Sequence, residues 1–230
     1  MNAHKLSRAK FLSVMLLVLS LAASASAAFF IVTPPKGILP TLRTYNQTAA
    51  DWWKWALIEP AATNPLLDET GADCARNQPF LGAWYLAGSL SNSGPIHRSC
   101  TIPNFRTLII PVANTIWGAF LTDPASERTE AFVREQTRVI QDATEMTLTI
   151  DGTPVSNISR FYEESTLFNI TLAENNIYEL PEGTMLSPSA DAGYYVAISG
   201  LLPGNHTISW HSVALGSEQD ITYNIRINLL

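Results

Sequence analysis

The chain has 230 residues, 47% of them hydrophobic and 15% charged, and its 14 Lys+Arg against 20 Asp+Glu give a formal net charge of −6. That length holds one large domain or two small ones, with ample apolar content for a core. The acidic balance excludes a surface built to neutralise phosphates, and with it a nucleic-acid partner.

The first 28 residues read as an export signal. Lys5, Arg8 and Lys10 give a positive start, Phe11 to Ala22 is an apolar run of 12 broken only by Ser13 and Ser20, and Ala23 to Ala28 supplies only Ala and Ser. Small residues of this kind suit a signal-peptidase site. Cleavage after Ala27 or Ala25 is expected, leaving a signal peptide 1–27 and a single secreted β-rich domain 28–230. The competing reading is a retained anchor, because Phe11 to Val32 runs 22 residues without a charge, enough to span a bilayer. The short apolar part and the Ala/Ser exit favour cleavage, and then no membrane span remains. The segment removes three basic residues and no acidic ones, so the mature chain of 230 − 27 = 203 residues carries 11 − 20 = −9. The expected location is periplasmic or extracellular.

A helix is expected over Ala49 to Glu59, capped by Thr48, supported by Asp51 and stopped by Pro60. It carries Trp52, Trp53 and Trp55. At 100° per residue Trp52 and Trp55 share a face while Trp53 points aside, so Trp53 is the tryptophan expected to be exposed. From Pro60 to Pro103 the chain reads as loop, interrupted by a buried strand at Ala83 to Ala87. Thr107 to Val112 is a second buried strand, and Pro111 places its end or an edge there.

A second helix is expected between Asp123 and Glu145, with Asp123 as N-cap and Pro124 as first residue. The period then changes from 3.6 to 2. Met146, Leu148 and Ile150 alternate with threonines, and strands follow at Leu167 to Leu172, Gly193 to Ile198 and His206 to Trp210. In the last strand Ile221, Tyr223, Ile225, Ile227 and Leu229 are expected to face the core together. Short strands joined by Gly, Pro and Asn turns imply a mostly β fold, an antiparallel β-sandwich or jelly roll with two decorating α-helices.

Three stretches carry a resemblance: Trp52-Trp53-Lys54-Trp55-Ala56-Leu57, Asn64 to Cys74 (NPLLDETGADC) and Arg98-Ser99-Cys100-Thr101-Ile102-Pro103. Together they resemble a group of uncharacterised secreted bacterial proteins. Gly200 to Ile208 is similar to the last hairpin of many extracellular β-sandwich modules. Neither resemblance brings an activity or a catalytic residue with it.

In an oxidising compartment the lone pair Cys74 and Cys100 is expected to form one disulfide. No Gly-x-Ser-x-Gly elbow, P-loop or dinucleotide fingerprint is present. Zinc, iron–sulfur and haem signals are absent, so no cofactor is expected, with calcium the one metal left open. Asp68, Glu69, Thr70 and Asp73 supply hard oxygens around Gly71 for it, although the spacing is not that of an EF-hand. The ligand expectation is a secreted, non-catalytic protein that takes an extracellular glycan or another neutral ligand. Trp53 would be its stacking platform, flanked by Asp68 and Asp73. The alternative is a glycan hydrolase using two carboxylates of the Asp51–Asp73 region.

Overall fold

The structure is a computed structural model, which describes residues 29–90 and 94–229. The expected signal and its cleavage region lie outside the described residues. Among the described residues eleven strands form two sheets. The first contains β1 (Ile31–Val32), β2 (Ala83–Tyr85), β4 (Thr107–Phe120), β7 (Tyr162–Glu164), β8 (Phe168–Thr171) and β9 (Met185–Ser199). Its order is β1-β9-β4-β2, and β7 and β8 also pair with the long β9. The second runs β3 (Ile96–Pro103), β11 (Ser217–Asn228), β10 (Gly204–Ala214), β5 (Thr144–Ile150) and β6 (Thr153–Pro154). Pairing is antiparallel except at two edges, where β2 lies parallel to β4 and β3 parallel to β11. The mostly β sandwich with two helices is therefore what the chain forms.

The inner faces are apolar for the reason given by strand periodicity. In β11, Ile221, Tyr223, Ile225 and Ile227 are buried while Asn224, Arg226 and Asn228 are exposed. Leu229 departs from the expected register set. It lies past the end of the ladder and is 73% exposed, because no facing strand reaches that far. One continuous core runs from the first helix through both sheets.

Pro111 does not end its strand. It sits beside a register shift in the β4–β9 ladder, between Pro111 and Ala113, and the strand continues to Phe120. A bulge removes the need for the amide that proline lacks.

Helix α1 (Tyr45–Leu57) starts one turn earlier than expected. Thr44 is the cap, with Gln47 Oε1 accepting from the Thr44 amide at 3.2 Å. Thr48 is buried inside the helix, its amide donating to the Thr44 carbonyl. Helix α2 (Glu130–Thr137) starts later than expected. Asp123 closes a turn by accepting from the Phe120 amide, and Thr129 caps the helix by accepting from Phe132. A 3-10 turn, Arg138–Asp142, completes it. Among the described residues no helix is long and apolar enough to cross a membrane.

The expected disulfide is present. Cys74 and Cys100 are bonded with Cα atoms 6.0 Å apart, so the loop after α1 is fixed to β3. Beside it, Arg98 holds the same loop from within. Its buried guanidinium donates to the carbonyls of Asp68, Ala87 and Gly88 and to the Tyr223 hydroxyl, and lies over the Tyr223 ring.

Candidate functional site: a groove between the sheets

At the end of the sandwich where β10 turns into β11, the two sheets part around a cleft of about 280 Å³. Strand β4 lines it with Asn114 and Ile116, β10 with Ser212, and β11 with Gln219; an edge of Trp53 reaches it from α1. Tyr178, from the connection between β8 and β9, stands on its rim, 42% exposed. A neighbouring hollow of about 210 Å³ shares Ile116 and Tyr178 and adds Trp117, Phe120 and Leu186. The two make one groove, polar at one end and aromatic at the other. Among the described residues no Asp, Glu, Lys, Arg or His lines either part.

The polar end is built from side chains that also hold the sheets. The Ser212 hydroxyl donates to the Val112 carbonyl across the sandwich at 2.8 Å. Gln219 Nε2 donates to the Ser89 carbonyl at 3.3 Å. The aromatic end depends on Gly118. A Cβ there would meet the Leu186 side chain and the Ser189 hydroxyl at 2.7 Å, so only glycine lets β9 lie this close beside Trp117.

Behind the groove lies a buried polar chain. Asn114 Nδ2 donates to the Tyr195 hydroxyl at 2.8 Å, and that hydroxyl donates to Asp191 Oδ1 at 2.8 Å. Trp53 Nε1 donates to the same oxygen at 2.5 Å. Asp191 is 0% exposed and its Oδ2 has no hydrogen-bond partner. Loss of water pushes its carboxyl up to about 8, although the Tyr195 and Trp53 donors pull the other way. Burial and the neighbouring Asp191 push the Tyr195 hydroxyl far above its ordinary value. The network thus fixes the Asn114 amide in the groove wall, and ties Trp53 to the sheet beneath it.

The residues expected to form the site are not brought together. Trp53 is only 5% exposed, which corrects the expectation that it stands free. The side of α1 that helical geometry leaves pointing aside is covered by β9, whose Asp191 receives its indole N–H. The groove that Trp53 touches contains neither Asp68 nor Asp73. Asp68 organises its own loop, accepting from the Thr70, Gly71 and Asp73 amides and the Thr70 hydroxyl. Burial raises its carboxyl, but these donors outweigh burial and hold it below the usual range. Asp73 is paired with Arg76 at 3.0 Å.

Asp51 and Glu59 of the region are likewise held by neighbouring side chains. Asp51 is paired with Arg43 and Lys54, and Glu59 accepts from Thr63 and Asn77. A shallow depression beside Trp55 and Tyr85 has Asp51 as its one carboxylate. Among the described residues no group of three or more His, Cys, Asp or Glu is placed to hold a metal ion.

Trp117 was not legible as a site residue. Of the six tryptophans it alone is substantially open, at 42%, with Phe132 of α2 edge-on at 6.3 Å. The signal that could have found it is Asn114-Thr115-Ile116-Trp117, a strand-like continuation past Pro111. No protein-family model matches the chain, and no curated protein matches it.

Proposed function

We propose that the protein is an exported, non-catalytic β-sandwich that binds a neutral polyhydroxylated ligand, an extracellular glycan, in the groove between its sheets. One observation carries this reading: the groove joins amide and hydroxyl side chains to an open indole, and among the described residues no Asp, Glu, Lys, Arg or His lines it. Sugars need these two things, directional partners for hydroxyls and an aromatic face for their C–H surface. The ring that serves is Trp117, with Tyr178 beside it, rather than Trp53. Export is supported by the charged and apolar start, the Ala/Ser exit and the Cys74–Cys100 disulfide.

Hydrolysis of the glycan is disfavoured by the same geometry. Two-carboxylate chemistry needs a pair of acids across the bound sugar. Among the described residues the groove has none, and Asp51, Glu59, Asp68 and Asp73 are each held by an ion pair or by hydrogen bonds outside it. A glycan array probed with the exported chain, followed by a reducing-sugar assay on every hit, tests both halves. Binding without sugar release is the expected result; release of reducing ends by the wild type and not by Asp51→Asn would restore the hydrolase.

A further inference from the structure

The polar end of the groove has a hydrogen-bonding direction, and that direction is set from behind it. Trp53 Nε1 can only donate, and it donates to Asp191 Oδ1. The same oxygen accepts from the Tyr195 hydroxyl at 2.8 Å. A carboxyl oxygen that takes two donors carries no proton itself. A proton on this carboxyl therefore sits on Oδ2, and the direction of the chain is the same with it or without it.

The Tyr195 hydroxyl has a single hydrogen, committed to Asp191. Towards Asn114, 2.8 Å away, it offers only lone pairs. Asn114 must meet them with Nδ2, because the amide turned over would set its Oδ1 against another oxygen with no hydrogen between them. What Asn114 keeps for the groove it lines is Oδ1, an acceptor. The backbone is shaped for this reach. Asn114 faces Gly193 across the β4–β9 ladder, where an added Cβ would lie 2.5 Å from Asn114 Cβ and 2.8 Å from the Ala113 carbonyl oxygen. Glycine there lets the Asn114 side chain lie across β9 towards Tyr195. Two residues back along β4, the Val112 carbonyl takes the Ser212 hydrogen at 2.8 Å, so the Ser212 oxygen is also left with lone pairs alone. Two groups of the wall, one from each sheet, are acceptors.

Resting on the reading of the groove as a sugar site, we propose that Asn114 is its specificity-determining residue, held oxygen-outward by the positioning residues Tyr195 and Asp191, and that the sugar hydroxyl it meets must donate. An ether, a fluorine or a carboxylate oxygen at that position faces Oδ1 with no hydrogen between the two. The groove so built takes a sugar whose hydroxyl is free at the recognised position and rejects the same sugar substituted there.

The test is calorimetric titration with cellobiose, mannobiose and lactose, and with the monodeoxyfluoro counterparts of each. In those, one hydroxyl at a time is replaced by a fluorine that can accept but not donate. At one position of a disaccharide that binds, fluorine should weaken binding to the wild type roughly tenfold or more, because an acceptor is left unpaired. In Asn114→Ala the same fluorine should make little difference, since the acceptor it faced is gone; the coupling between the two changes is the signature of direct contact. Tyr195→Phe keeps the ring and frees the Asn114 amide to turn over, so the fluorine penalty should shrink there as well, which loss of a merely structural hydroxyl would not bring about. Asn224→Ala, which removes an exposed amide of β11, should keep the full penalty. Thermal melts establish that each variant is folded, and Asn114→Ala, in the groove wall, decides the matter alone if Tyr195→Phe does not fold. Tolerance of fluorine at every position of a disaccharide that binds overturns the proposal, as does a penalty that Asn114→Ala retains; the groove itself stands as a sugar site in either case if Trp117→Ala loses the binding. A full penalty in folded Tyr195→Phe overturns the positioning chain. Failure of the wild type to bind any of the disaccharides overturns both this proposal and the reading beneath it.

Discussion

Asp191 is a carboxylic acid with no water around it, and its titration is a consequence of that position. Its carboxyl is pushed up to about 8 in the fold, against about 3.9 in an unfolded chain. Between these values the folded protein keeps a proton that the unfolded chain releases. Stability contributed by Asp191 is therefore complete below about pH 4 and is lost as pH rises towards 8, by up to about 1.4 kcal/mol per pH unit. Asp191→Asn retains an oxygen for the Trp53 and Tyr195 donors and removes the titration. Its urea midpoint should hold between about pH 5 and about pH 8 while that of the wild type falls. A parallel fall in both would locate the pH dependence elsewhere. Trp53, which shares this network, is a structural residue. Trp53→Ala should cost about 3–5 kcal/mol in thermal or urea unfolding, as a large buried side chain does when truncated. The residue-level reading from sequence failed here for a definite reason. Helical geometry gave the direction of Trp53 but not what β9, 138 positions later, lays against it.

The elements were legible in proportion to the regularity of their side-chain alternation. Strand β11 alternates without interruption, and its inward set was recovered up to the end of the ladder. Ile225 is buried and Asn224 exposed. Ile225→Asp should therefore destabilise by about 3 kcal/mol or more, through lost burial and an unpaired buried carboxylate. Asn224→Asp should stay within about 0.5 kcal/mol. Equal shifts in melting temperature would contradict the register. Strand β3 alternates just as strictly in the fold, buried at Ile96, Arg98, Cys100 and Ile102. The sequence reads there as loop on its turn signals, Asn64-Pro65, Thr70-Gly71 and Ser91 to Pro95, and an arginine at an inward position hides the alternation. Only the carbonyls of Asp68, Ala87 and Gly88 and the Tyr223 hydroxyl, supplied by distant segments, make that burial tolerable. Helix starts differ from expectation by about one turn in α1 and more than a turn in α2. The caps are Thr44 and Thr129 rather than Thr48 and Asp123, and local capping preference does not by itself fix where a helix begins.

At the scale of the whole molecule, the disulfide fastens the loop after α1 to the second sheet. The Cys74–Cys100 bond closes a sequence separation of 26 and fastens the loop that Arg98 also grips. The chain-entropy relation for a loop of that size gives about 3.5 kcal/mol. Cys74→Ser/Cys100→Ser should lower the unfolding free energy by about that amount, measured by urea unfolding. The sandwich itself was legible because strand period and turn chemistry are local. The groove was not, since Asn114, Trp117, Tyr178, Ser212 and Gln219 come from four separate segments and meet only when the sheets pack. The most direct test of the groove as a neutral-glycan site is calorimetric titration of an array-identified glycan into the wild type and Trp117→Ala, with thermal melts of both. Trp117→Ala should melt close to the wild type, because the ring is partly open, and should lose affinity on the order of tenfold or more for want of its stacking face. Equal affinity in the two proteins, or a wild type that binds no neutral glycan, would contradict it.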